Sequence, residues 1–303
     1  MIRQYLKIIR LHIIAGGILA FTVGALLGLA NGGVFNPLHF GVCYATVLFG
    51  DLSTHYSNDY FDAKQDKTTY KKSLFSNYKV LTDKPEMLPW TKKIAATLLL
   101  ISLLFSSFAV LFKIAPLELL LIMIGANFLG WFYSSPPLRL VSKGLGEVAI
   151  ALAVGFAIPT AGYLSSKGAI DNWYGLFVVP FILYGFMLAL SLEAPDVEGD
   201  RLGDKKTLGV TKGVGVVFTL AFSVAFASFL IFLYFVFQTA ISPVNISVIT
   251  AFSSIPLVAG LFSLLQIHKG KNAHLPSAIN VVSLFTINLL IIGYLTAILC
   301  LSF

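Results

Sequence analysis

Nine apolar stretches of 18 to 25 residues follow one another along this sequence, and few folds can accommodate such a pattern. They cover roughly 11–30, 37–57, 93–113, 116–133, 145–164, 173–195, 213–237, 244–266 and 277–300. About 20 apolar residues let a helix cross the hydrocarbon core of a bilayer. Strands of a membrane barrel would be alternating segments of about ten. Composition agrees, since 57% of the residues are hydrophobic and 12% charged, against about 25% charged in soluble domains. A soluble enzyme, a disordered chain and a disulfide-stapled secreted domain are excluded. The expected fold is an all-α polytopic membrane protein: one domain over 1–303, with nine transmembrane helices around a central cavity. Arg3, Lys7 and Arg10 precede the first stretch as in a signal peptide, yet the apolar run continues to Ala30, too long for an h-region. It reads as a retained span. Cys43 and Cys300 both lie in apolar stretches and read as small buried hydrophobes.

Charge sets the expected orientation. Assigning loops to alternate sides puts 19 of the 21 basic residues on one face, leaving only Lys113 and Lys167 on the other. Such an excess marks the cytoplasmic side, so the N-terminus is expected there. The net charge of +7 then reports topology and a basic face towards anionic lipid or substrate; nucleic acid is not an expected partner. The other face has short connections, whereas the cytoplasmic loops near 58–92 and 196–212 are long and hold most of the acidic residues. Chemistry concentrates on such loops.

Two acidic motifs stand out. The first runs Asn58-Asp59-Tyr60-Phe61-Asp62-Ala63-Lys64-Gln65-Asp66, and the second Asp196-Val197-Glu198-Gly199-Asp200-Arg201-Leu202-Gly203-Asp204. Asn58, Asp62 and Asp66 are spaced i, i+4, i+8, as are Asp196, Asp200 and Asp204. If each span continues as helix into its motif, three oxygen-bearing side chains share one face. Like charges so placed repel, unless a cation joins them. Mg²⁺ prefers such hard oxygen ligands and commonly bridges carboxylates to substrate phosphates. The plain alternative is a set of solvated loop charges paired with Lys64, Lys67, Arg201 and Lys205; two copies of one spacing, each directly after a span, weigh against it.

NDYFDAKQD at 58–66 and DVEGDRLGDKKTL at 196–208, set on nine spans, resemble the signatures of the UbiA superfamily of intramembrane prenyltransferases. YSSPPLRL at 133–140, ahead of Lys143 and Gly144, is similar to that family's loop after the fourth span. The resemblance implies that both motifs bind Mg²⁺, as two ions, and through it a prenyl diphosphate donor. The isoprenoid tail would lie in an apolar cavity between helices, and the prenyl group would pass to a lipophilic, usually aromatic acceptor. By motif position the implied metal ligands are Asn58, Asp62, Asp66, Asp196, Asp200 and Asp204. Asp62, Asp66, Asp200 and Lys143 are the implied catalytic residues. Lys143, Arg139, Arg201 and Tyr133 would bind the diphosphate. The family's Tyr-x-x-x-Lys pattern meets Arg139 four residues before Lys143, with Tyr133 the nearest tyrosine.

The chemistry is coherent. A diphosphate carries roughly three negative charges, and its departure needs metal ions and basic side chains to neutralise them. The carbocation left behind must be shielded from water, which an apolar bundle does. Asp51, His55, Asn58 and Asp62 form one helical stripe, and an ionisable residue inside a span is a functional candidate. Asp51 and His55 are candidate acceptor contacts, or else simply pair one turn apart. Asn127 and Asn288 read as interhelical hydrogen-bonding residues, and Glu147 as a carboxylate suited to a helix N-terminus. Gly125, Ala126, Gly130, Gly155, Ala157 and Gly162 are small enough to line a tail cavity.

The NDYFD form of the first motif is similar to family members acting on quinone precursors such as naphthoate or hydroxybenzoate, the expected acceptor class. Geranylgeranyl transfer to a glycerol-phosphate ether in archaeal lipid synthesis is the alternative. An ion-coupled transporter is the rival of another class, but transport sites lie near the bilayer midplane, and both acidic triads fall at a boundary. The expected partners are thus the donor, the acceptor and the bilayer, with no protein partner inferable.

Overall fold

A computed structural model describes residues 11–63, 79–238 and 243–301. Among these residues all regular structure is helical. The long elements are α1 (Leu11–Ala30), α2 (Pro37–Asp62), α4 (Leu88–Leu111), α5 (Leu117–Ser134), α8 (Asn172–Glu193), α11 (Val214–Gln238), α12 (Ile246–His268) and α13 (His274–Leu301). Between them come the short α3 (Lys79–Asp83), α9 (Val197–Leu202) and α10 (Leu208–Lys212). One further rod is composite: α6 (Gly146–Leu152), a wide turn at Ala153–Ala157 and α7 (Ile158–Lys167). Pro159 explains the wide turn, because proline lacks an N–H and displaces the carbonyl four residues back.

Eight helical segments among the described residues are long and apolar enough to cross a membrane. They match eight of the nine expected spans to within a few residues, except where the third begins earlier, at Pro85, and the sixth runs on to Leu202. The second expected span corresponds to α2, which is 26 residues long but falls outside the eight. Its C-terminal half carries Asp51, His55, Asn58, Asp59 and Asp62. Asn36 caps α2 by accepting from the amides of Leu38 and His39, and Pro37 at the first position is preset for a helix.

Close backbone approach holds α1 to α7. A Cβ on Gly24 would lie 1.8 Å from the Pro159 carbonyl oxygen, and one on Gly28 would lie 2.1 Å from Ser166 Oγ. From the other side, a Cβ on Gly162 would lie 2.0 Å from the Phe21 carbonyl. Gly24 and Gly28 thus form a small-xxx-small face, the device by which helices in lipid gain contact without a hydrophobic driving force. Ser166 Oγ donates to the Ala25 carbonyl at 2.8 Å across this seam. At its far end the Asn31 amide donates to Asp171 and to the Tyr163 hydroxyl, both at 2.8 Å. Gly24→Ala should therefore cost about 3 kcal/mol, the upper end for overpacking. Gly41→Ala, with open space around its Cβ, should leave the thermal unfolding midpoint in detergent unchanged. Equal midpoints for the two variants would contradict the seam.

The remaining helices are pinned by buried polar side chains. Asn127 donates to Ser102 Oγ at 3.0 Å, and Ser102 Oγ to the Thr46 carbonyl at 2.8 Å, joining α5, α4 and α2. Asn127 thus acts as the sequence suggests. Asn288 does not: its amide bonds the Leu284 carbonyl of its own helix. Asn280 takes the interhelical role instead, donating to Ser191 Oγ at 3.2 Å and accepting from Ser263 Oγ at 2.9 Å.

Candidate functional site

A cavity of about 240 Å³ opens among α2, α5, α6, α8 and the segment after α8. Its polar end is built from the two acidic motifs. Because α2 continues unbroken to Asp62, Asp51, His55, Asn58 and Asp62 all line the cavity on one stripe. The first motif therefore behaves as its spacing predicts as far as Asp62, while Asp66 lies outside the described residues.

The second motif departs from the expected continuous face. After α8 the chain makes a tight 3-10 turn at Ala194–Asp196, then the six residues of α9, then a turn in which Asp204 has φ +54°. Asp196 and Asp200 line the cavity, whereas Asp204 does not and is exposed. The physical reason is the early end of α9, marked by Gly203: once the helix stops, the i, i+4, i+8 relation no longer applies.

A lysine joins the motifs. Lys205 Nζ stands 3.0 Å from Asp62 Oδ2 and 3.6 Å from Asp200 Oδ1, binding carboxylates from two separate helices to one cation. Sequence reading treated Lys205 as a loop charge; its signal was adjacency to the DVEGDRLGD motif. Asp59 and Glu193 also line the cavity and were not assigned there. The Tyr133 hydroxyl, expected at the diphosphate, lines the cavity but donates to Glu193 Oε1 at 2.8 Å.

Arg139, Lys143 and Arg201 do not line the cavity. Lys143 and Arg201 are exposed, and Arg139 donates through Nη2 to the Gly203 carbonyl at 3.1 Å. Glu147 is buried in the first turn of α6, as a carboxylate should be, but its Oε1 accepts the Leu208 amide rather than capping its own helix.

The donor set suits Mg²⁺. Among the described residues Asn58 Oδ1 and Asp62 Oδ1 are buried oxygens without a hydrogen-bond partner, an arrangement costly unless something else satisfies them. Among the described residues no three His, Cys, Asp or Glu side chains converge tightly enough to hold a metal by themselves. That is no obstacle for Mg²⁺, which keeps several waters and usually takes one or two carboxylates plus substrate phosphate.

Away from the motifs the walls turn apolar. A second cavity of about 100 Å³ is lined by Gly16, Gly155, Phe181 and Phe285 among others. The two share Ile13, Asp51, Val154, Ile158, Leu188 and Leu192, so among the described residues Asp51 is the one ionisable side chain at their junction. His55 Nε2 lies 3.5 Å from Asp51 Oδ1. Of the small residues expected to line a tail cavity, Ala126, Gly130 and Ala157 line the larger and Gly155 the smaller. Gly125 and Gly162 line neither; Gly162 serves the α1–α7 seam.

Comparison with known proteins follows this geometry. The model of the UbiA prenyltransferase family matches residues 18–290. A digeranylgeranylglyceryl phosphate synthase from Ignicoccus hospitalis is 26% identical over 233 residues, covering 75% of this chain and 70% of that protein. A UbiA homologue from Archaeoglobus fulgidus, solved with GPP and Mg²⁺, superposes with TM-score 0.72 at 20% identity, covering 98% of this chain and 99% of that one. A solved digeranylgeranylglyceryl phosphate synthase superposes with TM-score 0.66 at 17% identity over 97% and 98% of the two chains.

Proposed function

Because the chain belongs to the UbiA prenyltransferase family and is thus an integral membrane prenyltransferase, we propose that it carries out Mg²⁺-dependent transfer of a prenyl group from its diphosphate to a glycerol-phosphate ether. The observation that carries the reading is the pairing of Asp62 and Asp200, from two helices, around one point at the polar end of a cavity with apolar walls. The aromatic quinone-precursor acceptor expected from the first motif finds no support in the named relatives. Their reaction names point to the lipid ether instead.

In this reading Asn58, Asp62 and Asp66 hold metal from one side, and Asp196 and Asp200 from the other, with Asp204 at the exposed rim. Mg²⁺ bound there supplies neutralisation of the diphosphate leaving group. Lys205 adds a fixed positive charge between the motifs. Lys143 and Arg201, on the exposed rim, draw the anionic donor in, while Arg139 and Tyr133 brace the loop and the wall. The apolar lining excludes water from the developing carbocation. Asp51 lies about 16 Å of helix rise from Asp62, too deep for the diphosphate, so Asp51 and His55 face the acceptor side and orient it. The helix α2 serves as a ninth span, shielded by its neighbours, and the charge asymmetry puts the motif end on the cytoplasmic face.

Purified protein in lipid vesicles, given labelled geranylgeranyl diphosphate and a panel of acceptors, tests the reading. The expected product is a lipid ether, falling at least about tenfold when chelator removes Mg²⁺. Transfer to hydroxybenzoate or naphthoate alone would overturn the acceptor, and undiminished turnover without metal would overturn the ligand set.

A further inference from the structure

The polar end of the cavity is held in part by residues that do not line it, Arg139 and Glu147 among them. Segment 203–208, which carries Lys205, is tied at three points, two in the connection between α5 and α6 and one in the first turn of α6. Arg139 Nη2 donates to the Gly203 carbonyl at 3.1 Å. The Lys206 amide donates to the Val141 carbonyl at 3.0 Å. The Leu208 amide donates to Glu147 Oε1. The last tie is made by the more buried of the two side chains involved, with Glu147 2% exposed. Glu147 in turn faces Glu193, whose Oε1 takes the Tyr133 hydroxyl. Lys205 sits between the first and second ties, and the third anchors the segment three residues further on. Its reach to both Asp62 and Asp200 depends on where that short segment is pinned, because a lysine side chain alone is flexible.

We propose that Glu147 is a positioning residue for the diphosphate end of the site, acting through the Leu208 amide to hold Lys205 between the two acidic motifs. It touches neither substrate nor metal in this account. A hydrogen bond donated by a backbone amide to a carboxylate is about twice as strong as a neutral one, so one buried glutamate can fix the segment more firmly than a neutral contact would. The inference rests on the donor site proposed above.

Equilibrium binding of labelled geranyl diphosphate in the presence of Mg²⁺ tests it on the full-length protein. Wild type is the control: no binding by wild type would overturn the proposed function itself, whereas wild-type binding leaves the variants to decide the role of Glu147. Glu147→Ala should weaken donor binding about tenfold, the low end for groups that orient ligands. Glu147→Gln, which keeps an acceptor oxygen for the amide but not the charge, should recover only part of the loss. Leu208→Pro removes the donated hydrogen at the first position of α10, where proline is tolerated, and should reproduce the Glu147→Ala defect. The decisive readout is the cycle with Lys205→Ala. If Glu147 acts through Lys205, Glu147→Ala adds less than about twofold on that background. Fully additive losses, or unchanged donor affinity in both Glu147→Ala and Leu208→Pro, would overturn the proposal. A Glu147→Ala protein that fails to fold leaves Leu208→Pro and the cycle built on it to decide.

Discussion

Asp62→Asn and Asp200→Asn should each lower turnover by about 10²–10³-fold, the range seen when one preorganised stabiliser of developing charge is removed. The two substitutions keep side-chain size, so packing around the two buried positions (8% and 7% exposed) is preserved. What they remove is a carboxylate and, in the proposed reading, a metal ligand. Asp62 is the more exacting test, because one of its oxygens holds Lys205 and the other has no partner among the described residues. Losing that free oxygen weakens the metal; losing the paired one lets Lys205 turn to Asp200 alone. Raising Mg²⁺ should recover part of the activity in Asp200→Asn and less in Asp62→Asn. Thermal midpoints should stay close to wild type, separating this loss from unfolding. Wild-type turnover of both variants at low Mg²⁺ would remove the motifs from the metal site.

How much of this was legible in advance depends on the range of the interaction that decides it. The long helices were, because an apolar run long enough to cross a bilayer is a local property. The first motif was legible as far as Asp62 because nothing in 37–62 breaks the helix. The second was legible in identity but not in shape: the chain turns after Leu202, and Asp204 leaves the stripe that its spacing suggests. Lys205 was legible only as one of four loop cations that could pair with the motifs, since its partner Asp62 belongs to another helix and no local pattern announces that pair. The same holds for Glu147, whose first-turn position invited a capping role while its oxygen serves Leu208. Asn288 and Asn280 show the limit from another side. Both are polar residues in one helix, and only packing decides that Asn280 reaches Ser191 while Asn288 bonds its own backbone. The acceptor was least legible, because the acidic motifs, in the proposed reading, concern the diphosphate and not the group that attacks it.

Val154→Trp should abolish the use of long prenyl donors, by about 100-fold or more in kcat/KM, while sparing dimethylallyl diphosphate. Val154 lines both cavities and stands at their junction, so an indole there closes the passage from the polar end to the deeper apolar space. A five-carbon donor needs only the first cavity. Each CH₂ denied burial forfeits about 0.8 kcal/mol, so a tail longer by two or three isoprene units loses several kcal/mol of binding and is displaced from its reactive position. Gly155→Trp, one residue away, makes the informative contrast. A Cβ on Gly155 would lie 2.3 Å from the Phe181 carbonyl oxygen and 2.7 Å from Ile182 Cα, so that substitution drives α8 away and should lower stability and activity towards all donors alike. Donor length therefore separates the two positions: selective loss at Val154, uniform loss at Gly155. Equal loss of five-carbon and twenty-carbon donors in Val154→Trp, with an unchanged thermal midpoint, would show that the tail does not pass this junction.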